Sequence, residues 1–207
     1  MESINHDTEK QHKAQEQLIA RLDGEVADFF KVDSIKPEII TYKSKKDLHN
    51  AWVKAGDHNI TEAPNWLVAF ATHGKDVHIL SGDTMPPSTL GEIMDGQTRF
   101  KKTLKHEITH LYQNLINNNA PSWLNEGVSL FVAEQSFYKK MQLNELSIDL
   151  LDELDSAMTD VRTYKVGINM VNQIMKHFDK EKLFELIAIK NKNNRYIELQ
   201  KMFTWLK

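Results

Sequence analysis

The sequence predicts an α+β fold: a small antiparallel or mixed sheet in the N-terminal part, then a mainly helical half that runs to the C-terminus. Three observations carry this. Runs rich in β-branched and aromatic residues fall only between about 38 and 81. From about 98 onward, apolar residues recur at helical spacing. Strands come first and helices later, so the alternating pattern of βαβ units is absent. No repeat, low-complexity linker or domain boundary shows in the 207 residues. They read as one domain, 1–207, with a helical extension at 1–37, a strand-containing part at 38–97 and a helical part at 98–207.

The first helix is expected from about 8 to 31, because Leu18, Leu22, Val26, Phe29 and Phe30 share one face. "KPEIITYKS" follows a proline and predicts a short strand at 38–43. "SKKDLHNAWVKAG" predicts a helix capped by Ser44 and stopped by Gly56. "NWLVAFATHGKDVHILSG" predicts two strands, 66–72 and 76–81, around a turn at 73–75. Gly82, Pro86 and Pro87 mark a loop. A long helix then starts near 98 and breaks at "NNNAPS". Pro121 and Ser122 signal the start of the next, expected over 122–138. A further helix places Tyr164, Ile168, Val171, Met175 and Phe178 on one face. Two last helices are expected near 180–190 and 195–206.

Composition narrows the function. The net charge of −3 and the lack of a long basic run give nucleic acid no electrostatic footprint. Without cysteine, thiolate metal sites, disulfides and cysteine nucleophiles are excluded. No apolar stretch approaches membrane-spanning length. The polar start "MESINHDTEKQHKAQEQ" lacks the apolar core of a signal peptide. The expectation is a cytoplasmic chain with no membrane partner. Nothing sets its oligomeric state.

The residues that carry chemistry lie in "KHEITHLYQNL" at 105–115. On this helix Phe100, Leu104, Ile108, Leu111 and Leu115 form an apolar stripe, with Lys102, His106, His110 and Gln113 roughly opposite. The plain reading is two histidines on a wet face. The chemical reading is a metal site. Residues i and i+4 stand one above the other, so two imidazoles there can turn nitrogens toward one ion. Glu107, rotated about 100° around the axis, can act as a base without binding the ion. A catalytic zinc commonly takes a third protein ligand. Glu126 in "PSWLNEG" supplies one, at the start of the next helix.

"HEITH" followed by "WLNEG" resembles the gluzincin metallopeptidases, and within them the peptidase MA-like branch, in which a second helix gives a glutamate as third ligand. The resemblance implies a zincin-like fold and one zinc per chain held by His106, His110 and Glu126, with Glu107 as general base and peptide or protein as substrate. "TYKVG" is similar to the family's Tyr-x-x-Gly element, which implies that Tyr164 donates to the developing oxyanion. "DVHILSG" is similar to the edge strand along the family's cleft, so 76–81 is expected as an exposed edge beside the zinc. The likeness covers about 38–206 and is specific only near 100–170; residues 1–37 match nothing in it. The competing class is a non-catalytic zincin-fold binding or regulatory protein that keeps the metal for stability, and Glu107 argues against it. Glu134 and Asp160 are the candidate carboxylates for orienting the ligating histidines. His73 and His78 lie near the expected cleft.

Overall fold

Strand β3 (Asp76–Leu80) is the centre of a three-stranded mixed sheet, in the order β1-β3-β2. A computed structural model of the chain describes residues 2–56, 63–72, 74–86, 94–135, 140–155 and 160–206. Strand β1 (Glu38–Tyr42) runs parallel to β3, pairing Glu38 with Asp76 and Tyr42 with Leu80. Strand β2 (Ala69–Ala71) runs antiparallel on the other side, pairing Ala69 with Ile79. The expectation that 76–81 is an exposed edge strand is therefore wrong. The hairpin alone would leave one side of β3 open, but β1, which precedes it across an intervening helix, pairs parallel along that side and fills it. Such long-range parallel pairing leaves no local mark in sequence. The edge next to the helical half is β2, which is shorter than expected because Leu67 turns back onto the Pro64 carbonyl.

Around the sheet lie α1 (Glu2–Phe30), α2 (Lys45–Ala55), α3 (Gly96–Asn117) and α4 (Ser122–Val132). They are followed by α5 (Ile148–Glu153), α6 (Arg162–His177), α7 (Lys180–Ala188) and α8 (Lys192–Leu206). A mostly helical α+β architecture with a small mixed sheet results. Helix α2 keeps its expected caps: Ser44 accepts from the Asp47 N–H, and the Gly56 N–H donates to Trp52. The short α5 and a 3-10 turn at Leu143–Glu145 were not expected, since six and three residues hold too little periodicity to read. Helix α4 ends at Val132, earlier than expected, and residues 136–139 of the expected helix lie outside the described residues. Ser122 is its first residue rather than its cap; Pro121 occupies the cap position.

Helix α3 runs through the middle of the core. Phe100, Leu104, Ile108 and Leu111 are buried as the stripe predicts, but Leu115 is 67% exposed, because in the last turn the packed side of the helix is the one that carries Ile116 and Asn117. The opposite face is not wet. His106, Glu107 and Gln113 are all buried, and Tyr112 closes the remaining side against α1. There the buried Asp23 of α1 accepts from the Tyr112 hydroxyl at 2.5 Å, from Ser34 and from the Lys36 N–H. Leu22, Val26 and Phe30 of α1 join the same core. No helix among the described residues is long and apolar enough to cross a membrane.

Candidate metal centre

Asp95 caps α3 by accepting from the Thr98 N–H at 2.9 Å, which fixes the helix about three turns before the first histidine. The turn after α3 is held by its own polar groups. Asn117 donates to the Ile187 carbonyl and accepts from the Asn119 N–H, while Asn125 reaches back to the Ala120 carbonyl. This short hairpin lays the first turns of α4 along α3 and brings Glu126 to the two histidines. His106 Nε2 lies 3.1 Å from Glu126 Oε2 and 3.1 Å from His110 Nε2. His110 Nε2 lies 3.7 Å from Glu126 Oε1. Among the described residues these three are the only group whose ligand atoms could hold a metal ion, all within 4.8 Å of one another.

The donor set fits zinc. Atoms about 2.0–2.2 Å from one tetrahedral ion stand roughly 3.3–3.6 Å apart, close to the separations seen here. Imidazole is a borderline donor and carboxylate a hard one, and zinc takes both in sites with two histidines and a glutamate. Without an ion, the trio forms a charge-paired cluster. Burial alone would lower the His110 pKa, but the Glu126 carboxylate overrides it and raises it to about 9. Burial alone would raise Glu126, yet His110 and His106 hold it down at about 2.

Glu107 lies beside this trio and interacts electrostatically with all three members. Its carboxyl is buried and accepts from the Ala71 N–H of β2. Burial pushes its pKa above the ordinary carboxylate range, and the two histidines only partly offset that. A carboxyl so placed holds a proton more readily than a solvated one. Thr72 donates to the Asp76 carbonyl and Leu80 to that of Val68, so residues 68 and 72 face β3. By alternation Ala69 and Ala71 turn their backbone groups to the outer edge, where Glu107 meets Ala71.

The outer nitrogens of the histidines meet amides. His106 Nδ1 lies 2.9 Å from Gln135 Oε1, and His110 Nδ1 lies 3.0 Å from Gln113 Oε1. Ser129 joins the second contact, with its hydroxyl 3.2 Å from His110 Nδ1 and donating to Gln113. Sequence reasoning looked for carboxylates in this role and missed both glutamines. Gln113 was legible, since it sits three residues after His110 on the same face; Gln135 was not. Glu134 is exposed and gives its backbone carbonyl to Lys102, and Asp160 binds Arg162, so neither carboxylate contacts a ligand.

Tyr164, in the first turn of α6, sets its ring edge-on to Trp66 with centroids 6.3 Å apart. Trp66 is 44% exposed and precedes β2. Arg162 is occupied by Asp160 and Glu153. His78 stacks on Phe70, and its Nδ1 lies 2.8 Å from the Tyr42 hydroxyl, in the sheet; burial lowers its pKa. His73 lies outside the described residues. No family model matches the chain, and no curated protein or solved structure matches it significantly.

Proposed function

We propose that this chain is a zinc-dependent peptidase with a zincin-like fold, binding one zinc through His106, His110 and Glu126. The observation that supports it most is the convergence of those three ligand atoms within 4.8 Å with the buried Glu107 carboxyl alongside. A structural zinc gives no reason for a buried glutamate beside its ligands; hydrolysis does. Zinc, when bound, supplies positive charge for a polarised carbonyl and an acidified water.

The chain's own residues do the rest. Glu107 takes the proton from the attacking water and returns it to the departing amine, a role suited to a carboxyl whose proton affinity burial has raised. Tyr164 donates its phenol hydrogen to the oxygen that gains negative charge. The outer edge of β2 carries backbone groups of Ala69 and Ala71 next to Glu107, so an extended peptide laid along it would present its main chain to the base.

The test is zinc content together with cleavage of an unbiased peptide library, run on wild type and on Glu107→Gln. Stoichiometric zinc with cleavage only in wild type is the expected result. Zinc-free protein, or equal cleavage by both, removes the proposal.

A further inference from the structure

The end of α4 has an unusual build. Its last turn closes with the Gln135 N–H donating to Leu130 and the Glu134 N–H donating to Phe131, at 2.8 and 3.1 Å. This paired bonding is the Schellman motif, which needs a left-handed residue and usually takes glycine there. Here the residue is Glu134, at φ 54°. A non-glycine side chain in that region is disfavoured, and such positions persist where the surroundings over-determine them. Lys102 provides one hold, donating from Nζ to the Glu134 carbonyl at 2.9 Å. Lys102 sits one helical turn before His106 on α3. The left-handed turn therefore does more than stop a helix: it carries Gln135 back over α3, where its amide oxygen meets His106 Nδ1 while the side chain stays buried.

The second amide is fixed independently. Gln113 Nε2 donates to the Asn125 carbonyl at 2.9 Å, which leaves Oε1 as the atom facing His110 Nδ1 and the Ser129 hydroxyl. An amide oxygen only accepts, so each ring must keep its hydrogen on Nδ1. In a neutral ring Nε2 then offers the lone pair, and the Nε2 atoms of both rings are the nitrogens that converge with Glu126.

We propose that Gln135 and Gln113 are positioning residues that hold His106 and His110 as Nδ1–H tautomers, with the left-handed turn at Glu134 serving to aim Gln135. This inference rests on the metal reading above. It adds that the orienting partners are neutral amides, where a carboxylate would draw the Nδ1 hydrogen more strongly and raise ligand basicity.

The experiment is a zinc titration against a competing chelator, with thermal unfolding of the zinc-free proteins alongside. Gln135→Leu keeps the buried volume and removes the acceptor; a loss of about 10- to 100-fold in zinc affinity is expected. Gln135→Glu restores an acceptor and should bind zinc at least as tightly as wild type. Glu134→Gly should keep wild-type affinity, because glycine suits the left-handed turn. The imidazole nitrogen spectrum of the zinc-loaded wild type should show Nδ1 protonated in both rings. Wild-type affinity in Gln135→Leu, with binding lost in His106→Ala, overturns the positioning role and leaves the metal reading standing. Unchanged binding in both variants overturns both. Should Gln135→Leu not fold, an Nε2-protonated ring in the wild-type spectrum overturns the proposal by itself.

Discussion

Gly127 and Gly167 meet backbone to backbone where α4 crosses α6. A Cβ on Gly127 would fall 2.4 Å from the Gly167 carbonyl carbon, and one on Gly167 would fall 2.1 Å from the Trp123 carbonyl oxygen. No side chain can yield at such a contact, because both neighbours are main chain. The crossing fixes Glu126, next to Gly127, relative to Tyr164, one turn before Gly167. Alanine in a helix interior normally stabilises by about 1 kcal/mol over glycine. Here the overlap reverses the sign. Gly167→Ala is expected to destabilise by about 2–3 kcal/mol, read by chemical denaturation. A neutral or stabilising result would show that the two helices separate without cost.

Metal removal gives the second expectation. His106→Ala should lose zinc and become insensitive to chelator, while wild type should gain stability with added zinc. At a free concentration 100-fold above Kd the gain is about 2.7 kcal/mol, visible as a rise in Tm. If His106→Ala keeps the wild-type zinc content, the ligand assignment fails.

The base is tested by Glu107→Gln. The amide preserves shape and can still face the Ala71 N–H with its oxygen, so fold and zinc content should hold. Turnover should fall by about 10²–10⁴-fold. Cleavage at the wild-type rate would exclude Glu107 from proton transfer.

For Tyr164→Phe, the ring keeps its contact with Trp66 and only the hydroxyl is lost. Loss of one oxyanion donor commonly costs about 10²–10³-fold in turnover. The expected pattern is a lower kcat with KM and zinc content near wild type. An unchanged kcat would remove Tyr164 from the chemistry.

The Asp23–Tyr112 contact offers a test away from the site. Tyr112→Phe leaves the buried Asp23 without one of its two hydroxyl donors and the Ile35 N–H without its acceptor. Destabilisation of about 1–3 kcal/mol should follow, with zinc stoichiometry unchanged. An unfolding midpoint equal to that of wild type would mean that solvent replaces the lost hydroxyl.

Legibility followed locality. The caps at Ser44 and Gly56, the four-residue spacing of His106 and His110, and the return of α4 after "NNNAPS" are short-range patterns, and the structure places them close to where the sequence does. The place of β3 in the sheet was illegible because it depends on β1, more than thirty residues away. The orienting glutamines divide the same way: Gln113 shares a helix face with His110, whereas Gln135 arrives through a left-handed turn at a glutamate, where sequence signals ask for glycine. Leu115 fits the apolar stripe but lies exposed, since periodicity tells which residues share a face and not which face the neighbouring elements cover at each turn; in the last turn they cover Ile116 and Asn117.

The bond between Asp23 and Tyr112 spans 89 residues of chain. During synthesis α1 leaves the ribosome with Leu22, Val26 and Phe30 uncovered, and its partner on α3 follows only after the whole sheet region has been made. At about 5–20 residues per second, that interval is on the order of several seconds. The nascent helix must remain unaggregated over that time, before it docks against the helix that bears the histidine pair.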